Sequence, residues 1–271
     1  MDDNFGDRMK LYEAQECDRY LLPLTPIYAR LDGRSFHSFT KGMERPYDEK
    51  FSDAMRELTR HLIVETGAII GYTQSDEISL AWLHEDFRSE GIFNRRTFKL
   101  TSVLASMAAA KFACLVATNW PERASLYPHF DCRVYNLPNE TELANCFLWR
   151  ENDATKNAIS MAAQSVFSHR ELQGKNGSEM QEMLFQQHGI NFNNYPAFFK
   201  RGTYLRRELR EMELTEEEWL RIPESKRPPI GQSIQRHRIV DPHWPPLRGI
   251  ANRCDVLFRQ AAPFPNEKAE P

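Results

Sequence analysis

The 271-residue chain has no Cys-x-x-Cys pair, no Gly-x-x-x-x-Gly-Lys-Ser/Thr run and no Gly-x-Ser-x-Gly elbow. Its five cysteines (Cys17, Cys114, Cys132, Cys146, Cys254) are odd in number and scattered. That pattern argues against a zinc site or a disulfide framework and for a reducing compartment. The second absence removes the P-loop class. The third leaves a serine-hydrolase triad without support. His61, His84, His129, His169 and His188 show no metal-ligand spacing. The longest apolar run, 103–118, is interrupted by Lys111 and is too short to span a bilayer. Residues 1–7 are acidic and hold no apolar core, so no signal peptide and no membrane partner are expected, and the cytoplasm is the expected compartment. No internal repeat is present. A net charge of −3 gives no sign of a wholesale nucleic-acid binder, although a local basic face would suffice for phosphate contact.

What is present is an ordinary globular composition, 41% hydrophobic and 27% charged, long enough to bury a full core. Two short acidic segments stand out: Leu31-Asp32-Gly33-Arg34-Ser35-Phe36-His37 and Gly71-Tyr72-Thr73-Gln74-Ser75-Asp76-Glu77. Each places an aspartate at the end of a β-prone apolar run. Because 78–83 continues as a second strand, 73–77 reads as a hairpin connection. Pairing of that hairpin beside the first strand would bring Asp32 and Asp76 together. Converging carboxylates repel unless a cation lies between them, and hard oxygen donors suit Mg²⁺. Such a centre would orient a nucleoside triphosphate for in-line displacement.

The flanking pattern supplies a frame. Residues 9–22 suggest a short amphipathic helix or arm, 26–31 a buried strand, and 48–66 a helix capped by Asp48 with Phe51, Met55, Leu58 and Leu62 at helical spacing. A helix is expected over 94–119, a strand over 131–137, and a long helix capped by Asn139 through 169, punctuated near 150–153. Another helix is expected from Ser178. This order gives an α+β fold, a small antiparallel sheet with helices on one side. Beyond about 207, charge runs and proline pairs mark an irregular appendage.

Several residues admit two readings. Glu77 is either a member of the acidic site or a solvated hairpin residue. Arg95, Arg96 and Lys99 crowd the start of the expected helix, where the macrodipole disfavours cations. They form either a solvated face or an anion site. Lys200, Arg201 and further arginines follow Phe192, Tyr195, Phe198 and Phe199, either a charged rim on core aromatics or a surface for splayed nucleic acid. His37, five residues after Asp32, is either a triphosphate or proton-transfer group or a structural histidine.

The run from Arg30 to His37, Arg45-Pro46-Tyr47-Asp48, the Gly71–Ser79 segment, Phe130-Asp131-Cys132-Arg133-Val134, Trp149-Arg150, Asn193-Asn194 and Lys200-Arg201-Gly202 together resemble the tRNA-histidine guanylyltransferase family, in unbroken order from about 10 to 202. The resemblance implies a ferredoxin-like palm, as in polymerases and nucleotide cyclases, working in the 3′→5′ direction. It implies three parts: a catalytic palm over 1–137, a helical and basic part over 138–207, and the appendage at 208–271. It makes Asp32, Asp76 and Glu77 the expected catalytic acids. Two Mg²⁺ ions are expected on Asp32, the Gly33 carbonyl and Asp76. GTP, ATP or another NTP would be held by Asp32, Gly33, Arg34, Ser35, Phe36, His37, Ser75, Asp76, Arg95 and Lys99. The tRNA would meet Arg96, Arg150, Lys175, Asn193, Lys200 and Arg201, in a homotetramer.

One departure bears on substrate. Members dedicated to histidine tRNA carry His-Ile-Asn-Asn a few residues after the Trp-Arg pair, where this chain reads Thr155-Lys156-Asn157-Ala158. The chain, including 168–183, is therefore more similar to bacterial and archaeal guanylyltransferase-like proteins, which repair 5′-truncated tRNAs by templated addition. The implied reaction activates a 5′-monophosphate with ATP, after which the 3′-hydroxyl of an incoming NTP displaces the activating nucleotide. The alternatives are a histidine-specific enzyme adding a single G, a palm-fold nucleotide cyclase, and a non-enzymatic RNA-binding module.

Overall fold

The computed structural model describes residues 4–84, 86–88, 90–229 and 233–266. The acidic start at 1–3 and the last five residues of the expected appendage lie outside them. In chain order the described elements are α1 (Asn4–Cys17), β1 (Ile27–Gly33), α2 (Phe36–Phe39), α3 (Glu49–Thr66), β2 (Ile70–Gln74) and β3 (Glu77–Trp82). They continue with α4 (Thr97–Asn119), β4 (Phe130–Asn136), α5 (Glu140–Gln164), α6 (His169–Leu172), α7 (Gly177–His188) and α8 (Ala197–Arg201). The last are β5 (Thr203–Met212), α9 (Glu216–Leu220), β6 (Ile234–Val240) and α10 (Arg253–Phe258).

The strands make one antiparallel six-stranded sheet in the order β4-β1-β3-β2-β5-β6. Side-chain alternation along β1 divides the core. Ile27, Ala29 and Leu31 face α3 and α4, where Met55, Leu58, Leu62, Leu104 and Phe112 are buried. Tyr28, with Tyr72, Ala81 and Tyr204, faces the opposite way onto Leu143 and Phe147 of α5 and Val256 of α10. Both faces are therefore covered, which corrects the expectation of helices on one side. The reason is chemical: β1, β2 and β3 are buried along almost their whole length, so neither face could be left to water. Each fully buried Leu or Met adds about 1.5–3 kcal/mol of transfer free energy.

Local signals explain the ends of the first helices. The Asp48 side chain accepts from the Phe51 N–H at 2.9 Å, and Gly67 closes α3 in the left-handed region at φ 67°. The Asn139 carboxamide caps α5 by accepting from the Glu142 N–H. That helix runs unbroken to Gln164, without the expected punctuation, because Arg150 and Glu151 are buried and partnered rather than solvated. α1 begins earlier than expected and buries none of its residues. α4 starts at Thr97; before it, Phe93, Asn94 and Arg95 all have positive φ, so the first basic residue lies outside the helix.

Two strands were not expected, β5 and β6. The boundary drawn at 207 falls inside β5, whose pairing to β2 and β6 carries the chain's later part into the same sheet. α4 alone among the described helices is long and apolar enough to cross a membrane by length and composition, yet it packs Leu100, Leu104, Ala108, Phe112 and Val116 onto the sheet.

Candidate active site

The β1–β3 register pairs Asp32 with Glu77, and the β1–β4 register pairs Asp32 with Asp131. Asp76 lies in the turn between β2 and β3, and its carbonyl accepts the Gly33 N–H at 3.1 Å. One corner of the sheet thus gathers three aspartates. The turns that present them are held in left-handed backbone, Ser35 at φ 59° and Ser75 at φ 48°. Non-glycine residues occupy that region at a cost, which local structure must hold in place. Gly33 is required by space: a Cβ there would run into the Phe36 ring.

The electrostatics show why this corner is unusual. Burial pushes the Asp32 carboxyl above its ordinary value and Asp131 pushes it further, while Arg133, Arg30 and Arg150 pull back. Asp76 is raised by burial and by the Asp32 charge, opposed by its backbone contact, Ser75 and His37. Neither Asp32 nor Asp76 makes an ion pair among the described residues.

These donors suit a hard divalent cation. Two carboxylates that destabilise each other, beside the Gly33 carbonyl, match the sparse oxygen set with which Mg²⁺ is held when substrate phosphates and water complete its octahedron. Among the described residues no group of three or more His, Cys, Asp or Glu side chains is arranged to hold a metal without such help.

Glu77 differs from its neighbour. It is buried, and Arg150 donates to both its oxygens, Nε to Oε1 at 2.6 Å and Nη2 to Oε2 at 2.7 Å. Burial pushes the Glu77 carboxyl up, and the two-pronged contact, with Arg150 held more firmly protonated by it, keeps the pair charged. Arg150 also meets Asp153 at 3.1 Å. Arg150 is therefore not a surface contact for RNA, which corrects that expectation. It ties α5 to the strand beside Asp76. Glu77, with both oxygens occupied, serves as the anchor of that tie.

The other expected nucleotide residues divide. Ser75 and His37 sit at the corner; Arg34 is exposed there, its N–H donating to the His129 carbonyl at 2.9 Å. The Phe36 ring is core, packed on Phe39, Phe112 and Phe130, so only its backbone faces the site. A cavity of about 180 Å³ opens beside Ser75, lined by Gln74, residues of the 40–52 segment, Ala158 and Met161 of α5, and Phe198 and Phe199. Arg95 and Lys99 are elsewhere. The Arg95 carbonyl bonds Leu21, ahead of β1, and its charge acts on His84, beyond β3. Both positions are at the end of the strands opposite Asp32 and Asp76, and α4 spans the gap with a length of roughly 34 Å at 1.5 Å per residue. Within one chain these cations do not reach the acids.

The expected RNA contacts also divide. Asn193, Lys200 and Arg201 line one groove of about 760 Å³ together with Asn152, Lys156 and Arg248. The Lys200 ammonium donates to the Asn193 carbonyl at 2.6 Å, and burial with nearby Arg201 lowers its pKa. Arg96 instead pairs with Asp18 at 2.9 Å, and Lys175 with Glu179 at 3.8 Å, both outside this groove. Lys156, Arg248 and Asp131 were not among the expected site residues, although Asp131 and Lys156 fall within runs noted in the sequence. The alternation of buried and exposed residues along β4 could have placed Asp131 on the face of Asp32; nothing in the sequence marks Arg248.

A family model described as tRNAHis guanylyltransferase matches residues 6–138, and a Thg1 C-terminal-domain model matches 129–244. A bacterial tRNA(His) guanylyltransferase (Thg1)-like protein solved in complex with ATP superposes with a TM-score of 0.71 at 38% identity, covering 76% of this chain and 87% of that one. Another, solved in complex with GTP, gives 0.68 at 32% identity over 88% and 91%. The tRNA(His) guanylyltransferase of Schizosaccharomyces pombe is 32% identical, the match covering 74% of this chain and 79% of the yeast protein.

Proposed function

The chain belongs to the tRNAHis guanylyltransferase family, and from that membership we propose that it is a nucleotidyltransferase adding nucleotides, in the 3′→5′ direction and on a template, to the 5′ end of shortened tRNAs. The observation that carries this reading is the pair Asp32 and Asp76, brought to one corner, both raised in pKa and neither neutralised by a cationic side chain. Mg²⁺ held by Asp32, Asp76 and the Gly33 carbonyl would supply charge neutralisation at the phosphates and bring the attacking oxygen into line.

The protein's own groups supply the rest. The Ser75 turn and the adjoining cavity fit a nucleobase, fixing the triphosphate beside the acids. The Arg150–Glu77 tie holds the strand that follows Asp76. Positioning and fixed charge suffice for catalysis, since neither step needs a covalent bond to the protein. The groove carrying Lys156, Lys200, Arg201 and Arg248 fits a polyanionic backbone. Arg95 and Lys99, remote from the acids of their own chain, would serve a triphosphate only from a neighbouring copy, in keeping with a homotetramer. The Thr155-Lys156-Asn157-Ala158 run favours truncated tRNAs over histidine tRNA alone.

The test is Mg²⁺-dependent extension of a panel of 5′-shortened tRNAs with ATP and all four NTPs. Template-matched addition across several tRNAs is expected. Addition of one G to histidine tRNA alone would replace the reading with the histidine-specific one, and a cyclic product from GTP without RNA would replace it with a cyclase.

A further inference from the structure

Trp149 sits on α5 with 51% of its surface exposed, beside the buried Arg150. Two guanidiniums approach its ring. Arg150 lies 4.6 Å from the centroid while its nitrogens hold Glu77, and Arg30 lies 5.4 Å from it, two residues before Asp32 on the same face of β1. The ring therefore shares both of its cationic neighbours with the acidic corner. Arg30 makes no ion pair among the described residues, and across the β1–β4 register it stands opposite another arginine, Arg133, which meets Asp131 at 3.6 Å. Like charges set opposite each other are unfavourable; Asp131 relieves Arg133, which leaves Arg30 the cation of the two without an ion-pair partner among the described residues.

An indole fixed by two cations is a flat, preoriented surface with little freedom left to lose on binding. The nucleobase cavity cannot be its destination. That cavity is lined by Ala158 and Met161, nine and more residues further along α5, roughly 14 Å or more at 1.5 Å per residue. The acids thus have one mixed polar and aromatic slot on one side and an exposed indole with two neighbouring arginines on the other.

We propose that Trp149 is the stacking platform for the terminal base at the 5′ end of the RNA being extended. This rests on the reading above and adds to it where the RNA end is seated. Stacking on an open π-face tolerates any base, which suits an enzyme that meets a different terminal nucleotide after each addition. Arg30 and Arg133 lie where the 5′-phosphate of that nucleotide would follow its base.

The experiment compares wild type with Trp149→Ala and Trp149→Phe, using a shortened tRNA whose 5′-terminal base is 2-aminopurine. In wild type, binding quenches the 2-aminopurine emission. In Trp149→Ala the quench is lost and KM for RNA rises about 5- to 150-fold, the range for one base stacked on an aromatic ring. KM for NTP stays unchanged, and Trp149→Phe recovers most of both signals. If Trp149→Ala leaves the quench and the KM for RNA intact, the proposal is overturned. It is also overturned if the variant raises KM for NTP instead, which would seat the nucleotide there, or if Trp149→Phe is as damaged as Trp149→Ala, which would mark a packing role over Arg150. Absence of any nucleotide addition by wild type, with quenching preserved, would instead fail the functional reading and leave the stacking site standing.

Discussion

Asp76 and Glu77 are adjacent in the chain and opposite in circumstance. Glu77 is buried with both oxygens taken by Arg150, whereas Asp76 faces Asp32 and neither of those two makes an ion pair among the described residues. The same contrast recurs along the sheet. Glu151 accepts from the Tyr204 hydroxyl at 3.0 Å and the Leu247 N–H at 2.8 Å, and Glu208 pairs with Arg206 and Arg210. Wherever this protein buries an acid for structure it supplies the partner from its own chain. Among the described residues Asp32 and Asp76 are given no such ion-pair partner, and their corner is built to receive charge from outside.

The sharpest way to break that comparison is Asp76→Asn. Nucleotide addition is expected to fall by on the order of 10²–10³-fold or more in a single-turnover assay, the loss seen when a fixed electrostatic group is removed from a reacting centre. The metal-free protein is expected to melt about 2–4 °C higher, because relief of roughly 1 kcal/mol of repulsion moves a chain of this size by that much. A lower melting temperature would mean that Asp76 is structurally paired after all. Arg150→Ala should lose activity too, but with the opposite effect on stability. Leaving Glu77 buried and alone is expected to cost about 3–5 kcal/mol in denaturant unfolding. The double change Glu77→Leu with Arg150→Met should restore much of that stability without restoring activity.

The pH dependence separates the two classes further. Asp32 and Asp76 have folded-state pKa values raised above the ordinary 3.8, so their stabilising contribution is present below that value and is lost as pH climbs through the raised one. The metal-free protein should therefore lose stability over that interval, and Asp76→Asn should flatten the loss when melting is followed from pH 4 to pH 7. By the same sign, protons compete for the site, and half-maximal activity should need more Mg²⁺ as pH falls toward the raised values. The smallest expected effect belongs to the groove. Lys156→Ala or Lys200→Ala should weaken RNA binding at low salt and reduce the slope of log affinity against log salt by about 0.7–0.9 each.

How far the sequence could be read follows the same division. β1, α3 with its Asp48 cap and the 70–82 hairpin were legible because apolar period and capping chemistry agreed there. Asp32 and Asp76 were legible because each ends a β-prone run. β5 was not. Its run Thr203–Met212 alternates charges that read as solvated, while Thr203, Arg206 and Glu208 are in fact buried: Glu208 is held by Arg206 and Arg210 of the same strand, and Arg206 also reaches the Val256 carbonyl 50 positions away. Arg150 misled for the same reason. A charge with its partner 73 positions away looks like surface until the fold closes. Arg95 and Lys99 carried the right chemistry for phosphate, but their distance from the acids depends on which end of α4 meets which end of the sheet, and no local pattern records that.

The position of β5 also has a consequence for how the protein is made. β2 has one neighbour from its own hairpin and the other from β5, and Tyr72 bonds the Arg201 carbonyl 129 positions later. At roughly 5–20 residues per second, the ribosome needs on the order of ten seconds to deliver that covering strand after β2 has emerged. Throughout that interval the nascent chain presents an open row of backbone donors and acceptors, a template for stray pairing with other chains. Slow expression or chaperone help should therefore raise the yield of soluble protein, and chains that end before β5 should collect in the insoluble fraction.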